Sequence, residues 1–140
     1  MKALIRIKGM NKIEGRVEDT LYRLRLRRKY ACVIVNESKE KIGMIKKVKD
    51  FIAYGEIDND TLEELINKRG KPIDRTKKID PKKILIGLKE GKEYESLNLK
   101  PFFRLHPPRG GIDGKVHFGK GKGVLGNNGK EINKLIKRML

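Results

Sequence analysis

The segment YACVIV, residues 30–35, is almost continuously apolar and rich in β-branched side chains. Such a run is typical of a central β-strand that is covered on both faces. The segments on either side of it, residues 16–29 and 40–50, instead place their apolar side chains three and four positions apart, which predicts a helix in each. Residues 30–35 are therefore expected to form a buried strand between two helices that pack on the same sheet.

Two further strands are predicted outside these helices. Residues 3–8 alternate between two sets of side chains, and residues 51–57 are again apolar and aromatic. Strand, helix, strand, helix and strand within about 60 residues predict a βαβαβ core over residues 1–58, in an α+β fold.

Residues 59–140 are predicted to be an extension that packs on this core. The pairs Asp60 with Glu63 and Asn128 with Glu131 fit capping boxes, and Asp80-Pro81 fits a helix start. The segments predicted here are a third helix to residue 69, a short helix over 81–88, a fourth strand over 102–105, a glycine-rich basic loop over 106–128 and a terminal helix over 129–140.

The charge balance indicates a polyanionic partner. Lys and Arg outnumber Asp and Glu by 35 to 18 among 140 residues, which gives a formal net charge of +17. Such an excess repels itself in a compact chain unless an anion neutralises it. No apolar run approaches the roughly 20 residues of a spanning helix, so no membrane association is expected. A single cysteine, Cys32, and no recognisable export signal favour a reducing cytoplasm.

The charge is also unevenly distributed. Residues 1–49 carry 15 basic and 5 acidic side chains, whereas residues 50–64 carry six acidic side chains and no basic ones. One interpretation is a basic face toward phosphate and an acidic face toward solvent or a basic protein neighbour. The other is that the acidic residues near position 60 are ordinary helix-start chemistry, and both can hold together.

No catalytic, cofactor or metal site is predicted. Residues 121–126 match G-x-G-x-x-G, but a dinucleotide site needs a βαβ unit around that loop and an acidic residue about 20 positions later. Cys32, His106 and His117 offer only three scattered metal ligands, and a small buried thiol is the expected state of Cys32. We therefore expect neither an enzyme nor a cofactor.

The candidate RNA-binding residues fall into three basic sets. The first, near the end of the first helix, is Arg23, Arg25, Arg27, Arg28 and Lys29. The second, on the exposed side of the second helix, is Lys46, Lys47 and Lys49. The third, around the glycine-rich segment, is Arg104, His106, Arg109, Lys115, Lys120 and Lys122. Arginine's planar fork suits phosphate, and glycine lets the backbone approach an irregular RNA groove.

Each set has a structural alternative. Cations at a helix C-terminus favour the helix dipole, so part of the first set is structural. For the lysines of the second set, the alternative to RNA contact is a solvated helix face. The third set belongs either to an RNA-binding loop, mobile when free and ordered on RNA, or to a flexible loop without function.

Three stretches of the sequence resemble the L-thirty family of large-subunit ribosomal proteins. They are GMIKKVKDFIAYGEI at 43–57, FFRLHPPRGGIDG at 102–114 and GVLGNNGKEINKLIKRML at 123–140. The form is the archaeal one, similar to the eukaryotic L-seven type, and residues past about Leu62 exceed the short bacterial form. The resemblance implies a ferredoxin-like core that binds large-subunit ribosomal RNA and also touches 5S ribosomal RNA.

The sequence therefore predicts a structural component of the large ribosomal subunit, whose partners are these two RNAs and neighbouring ribosomal proteins. The resemblance does not settle individual contact residues. The main rival is a free-standing RNA-binding regulator or RNA chaperone.

Overall fold

A computed structural model describes residues 1–9, 14–111 and 123–140, together with the backbone of residues 114–117. Its strands are β1 (Lys2–Arg6), β2 (Ala31–Val35), β3 (Ile52–Glu56), β4 (Phe103–Arg104), β5 (Gly114–His117) and β6 (Gly123–Asn127). Its helices are α1 (Gly15–Arg23), α2 (Lys39–Val48), α3 (Asn59–Arg69), α4 (Pro81–Lys89) and α5 (Ile132–Met139). Within these described ranges, no helix is long and apolar enough to cross a membrane.

The strands form one sheet in the order β4-β2-β1-β3-β6-β5. The strand β1 lies between β2 and β3 and is antiparallel to both. The strands β2 and β3 therefore run in the same direction, and α2 connects them across β1. The predicted α+β fold with a βαβαβ core is confirmed.

Both faces of the sheet are apolar and covered. Neighbouring residues of a strand point to opposite faces, so Leu4 and Val33 pack against α1 and α2, while Ile5 and Ile34 pack against α3, α4 and α5. All five residues of β2 are buried, as predicted for a central strand. Cys32 is fully buried, and this burial raises the pKa of its thiol to about 12.

The prediction that the first helix runs to residue 29 is wrong, because α1 ends at Arg23. Arg25 has a φ of 63°, its N–H donates to Tyr22 O, and the N–H of Leu26 donates to Leu21 O. This pair of hydrogen bonds is a Schellman motif, in which glycine usually occupies the left-handed position. Leu21 and Leu26 are both buried in the same cluster, which supplies the apolar contact that accompanies the motif.

The prediction of one continuous loop over residues 106–128 is also wrong. Residues Gly123–Asn127 form β6, which pairs in parallel with β3, and residues 114–117 form β5 beside it. Glycine allows the backbone after β6 to approach β3 closely, because a Cβ on Gly55 of β3 would collide with the carbonyl oxygen of Gly129. Residues 112, 113 and 118–122 lie outside the described residues.

Two of the three predicted helix starts are corrected. The N-cap of α3 is Asp58, whose carboxylate accepts the N–H of Thr61, rather than Asp60. Asn128 makes no cap, because its side-chain amide donates to the carbonyls of Val124 and Gly126. The start of α4 is as predicted, with Asp80 accepting the N–H of Lys82 and Pro81 in the first turn.

Candidate nucleic-acid interface

The pairing of β4 with β2 brings the first and third basic sets together. Arg104 is paired with Ala31, the first residue of β2, directly after the turn that carries the first set. A cleft of about 310 Å³ opens between them. We call it the arginine cleft; its lining residues are Arg25, Arg27, Arg28, Lys29, Tyr30, Ala31, Phe102, Arg104 and Leu105.

The arginine cleft has a cationic rim and an apolar floor. All five of its cations are exposed, whereas Tyr30 and Phe102 are half-buried and Ala31 and Leu105 are buried. The Arg104 guanidinium lies 5.7 Å from the centroid of the Phe102 ring, and Lys29 Nζ lies 5.1 Å from that of Tyr30. In the part of the chain that the structure describes, the ion pairs involve other lysines. The cations of the rim are therefore available to an external anion.

A buried arginine positions the turn that forms one wall of the arginine cleft. Arg6, in β1, is only 1% exposed. Its Nη1 donates to Leu26 O at 2.9 Å, its Nε donates to Lys8 O at 3.0 Å, and its own carbonyl accepts the N–H of Tyr30 at 2.7 Å. Burial lowers the pKa of Arg6, and the charge of Glu18 partly offsets this effect.

Sequence reasoning missed Arg6, because it treated residues 3–8 only as an alternating strand. The available signal was a lone cation inside the apolar run ALIRI at residues 3–7. A charge in a strand that is covered on both faces must find partners inside the protein.

The remaining predicted residues lie around the arginine cleft or apart from it. Arg23 lines a second cleft of about 570 Å³, which shares Arg25 with the arginine cleft. His106 and Arg109 are exposed, and their backbone N–H groups donate to the carbonyls of Met139 and Arg138. The side chain of Arg138 in turn donates to the carbonyls of Arg109 and Gly111. The segment 106–111 is thus held against the end of α5.

The second set lies on a separate helix. Lys46 and Lys47 are exposed on α2, and Lys49 is exposed at its C-cap, as predicted. The structure does not bring them into the arginine cleft. Lys120 and Lys122 lie outside the described residues, as does the side chain of Lys115.

Three residues of the acidic segment, Asp60, Glu63 and Glu64, lie on α3. The helix α3 covers the face opposite α1 and α2. Asp58 caps this helix, which is ordinary helix-start chemistry. The residues that line an acidic cleft of about 540 Å³ between the starts of α3 and α4 are Asp60, Glu63, Glu64, Asn67, Asp80, Pro81 and Lys82. Both interpretations of the acidic segment therefore have support.

Comparison with known proteins identifies the family. The family model described as Ribosomal protein L30p/L7e matches residues 3–52. Proteins named large ribosomal subunit protein uL30 match almost the whole chain: that of Pyrobaculum islandicum is 41% identical, over 99% of this chain and 93% of the relative. The Archaeoglobus fulgidus relative is 35% identical over 99% of both chains, and the Methanococcus maripaludis relative is 38% identical over 99% and 98%.

The chain belongs to the L30p/L7e family of ribosomal proteins. The resemblance seen in three stretches of the sequence is thereby confirmed, including the archaeal form. The expectation that this chain is not an enzyme is also confirmed, because L30p/L7e proteins are structural components of ribosomes. The L30p/L7e match spans β1 to the start of β3, and so includes the turn that forms one wall of the arginine cleft.

Proposed function

We propose that this chain is a structural constituent of the large ribosomal subunit and binds large-subunit ribosomal RNA through the arginine cleft. The observation that carries the proposal is the convergence of five exposed cations from two distant segments on one cleft. Guanidinium groups bind phosphate in a bidentate manner, and such contacts supply most of the affinity of a basic protein for RNA.

The neighbouring surfaces extend this interface. The second cleft, with Arg23, adjoins the arginine cleft at Arg25. The other basic residues of the third set, His106, Arg109, Lys115, Lys120 and Lys122, belong to the same proposed RNA-binding surface. We propose that Lys46, Lys47 and Lys49 bind RNA as well. We also propose that the chain contacts 5S RNA. The acidic cleft is proposed to bind basic segments of neighbouring ribosomal proteins.

The test is salt-dependent binding to large-subunit RNA. Each neutralised phosphate contributes about −0.7 to −0.9 to the slope of log affinity against log salt. We expect a slope steeper than about −3 for the wild type, from several such contacts. In the triple variant Arg27→Glu, Arg28→Glu and Arg104→Glu, loss of three contacts should make the slope shallower by about 2 to 3.

A matched variant controls for net charge. Lys77, Lys83 and Lys89 are exposed and line none of the three clefts described above. Their replacement by Glu makes the same change in net charge and is expected to leave most of the slope intact. A flat titration of the wild type, or equal losses in both variants, would refute RNA binding through the arginine cleft.

A further inference from the structure

We infer that the arginine cleft holds one unstacked RNA base, so that it selects single-stranded ribosomal RNA over duplex; this inference rests on the proposed function. The floor of the cleft favours a base over phosphate alone. A site for phosphate alone needs only cations, yet this floor consists of the half-buried rings of Tyr30 and Phe102 and of two buried aliphatic side chains. Aromatic and guanidinium planes are the groups on which unpaired bases stack.

The size of the cleft also fits a single base. Small-molecule pockets occupy about 300 to 1,000 Å³, and the arginine cleft, at about 310 Å³, lies at the lower limit of this range. Such a volume suits a ligand as small as one flat base. The exposed cations of the rim then lie where the phosphates on either side of that base would pass.

The two aromatic segments are held together before any ligand binds. Cys32 pairs with Phe103, the residue after Phe102, and the N–H of Leu105 donates to Tyr30 O at 3.2 Å. Tyr30 has a φ of 66°, and the next N–H, that of Ala31, donates to Arg28 O. Both rings thus belong to segments with hydrogen-bonded backbone. Because these segments are already ordered, binding of a base requires little further ordering.

The experiment compares two RNAs that carry the same phosphates. One is a fluorescent octauridylate, and the other is the same octamer with abasic sites at its central positions. Their affinities are measured by fluorescence anisotropy at a fixed salt concentration. We expect the wild type to bind the intact octamer at least about fivefold more tightly than the abasic one, which is the lower limit for stacking of one base on an aromatic side chain.

Two variants locate the stacking. Phe102→Leu keeps an apolar side chain and the net charge, and is expected to bring the ratio of the two affinities close to one. Tyr22 provides the matched control: it is 58% exposed, and Arg27 lies 4.0 Å from its ring centroid, yet it does not line the arginine cleft. Tyr22→Leu should keep the wild-type ratio.

Three results would overturn the inference. Equal wild-type affinities for the two octamers would mean that charge alone binds RNA. The inference would then fail, while the proposed function would still stand. A full wild-type ratio in Phe102→Leu, or equal losses in both variants, would place the stacking outside the arginine cleft. Absence of binding to the octamers and to large-subunit RNA alike would refute the proposed function as well.

Discussion

A chain cut after residue 58 is expected to lose its cooperative fold, although it retains all of the βαβαβ core. In the full chain, α3, α4 and α5 cover the sheet face that carries Ala3, Ile5, Ile7, Cys32 and Ile34. The truncated chain would present this face to water as one continuous apolar patch. Patches of this kind lead to association or to loss of unique packing. We therefore expect aggregation, and no sharp transition when unfolding is followed by circular dichroism.

A second truncated chain tests whether the exposed apolar face, rather than the shorter chain, causes the aggregation. An antiparallel sheet tolerates water on one face when that face is polar. Ile5→Thr, Ile7→Thr and Ile34→Thr in the same fragment should therefore improve its solubility and sharpen its transition. A sharp transition in the unmodified fragment would show that the extension is not needed to cover the sheet.

Replacement of Arg6 by Met is expected to lower the free energy of unfolding by about 2 to 4 kcal/mol. Met preserves much of the side-chain length but leaves the carbonyls of Leu26 and Lys8 without the guanidinium that binds them. Each buried polar group that loses its partner costs about 1 to 3 kcal/mol. Removal of a desolvated charge offsets part of this loss. The quantity to measure is the midpoint and slope of urea unfolding.

The same replacement tests whether Arg6 positions the arginine cleft. Arg6 is only 1% exposed, so it does not reach RNA in the folded protein. Weaker RNA binding by folded Arg6→Met would come from movement of the turn that Arg6 holds. Lys8→Met removes a cation two residues along the chain, where Nζ lies 5.4 Å from the Phe51 ring centroid, and should cost less than about 1 kcal/mol. Equal stability of Arg6→Met and the wild type would contradict this account.

The fold of the core was predictable because its periodicities are clear. Residues 30–35 are apolar without interruption, and the helices that flank them repeat their apolar residues at helical spacing. The end of α1 was not predictable in the same way. Its Schellman motif holds an arginine, Arg25, where the usual marker is glycine, so the helical pattern appeared to continue.

The arginine cleft was predictable only in its parts. Sequence reasoning identified each of the five cations. Their convergence on one cleft depends on the pairing of β4 with β2, which joins residues far apart in the chain. Glycine content concealed β6, because glycine lowers strand propensity. The role of Arg6 depends on tertiary hydrogen bonds, and local patterns do not reveal these.

We propose above all that the protein is an integral, RNA-bound part of the large subunit rather than a loosely associated regulator. The most direct measurement is cosedimentation of the tagged protein with large subunits through a sucrose cushion in high salt. We expect the protein to remain with the subunits in equal amount, because the surrounding RNA and protein hold it in place. Release of the protein into the supernatant, while other ribosomal proteins stay bound, would contradict the claim and favour the regulator.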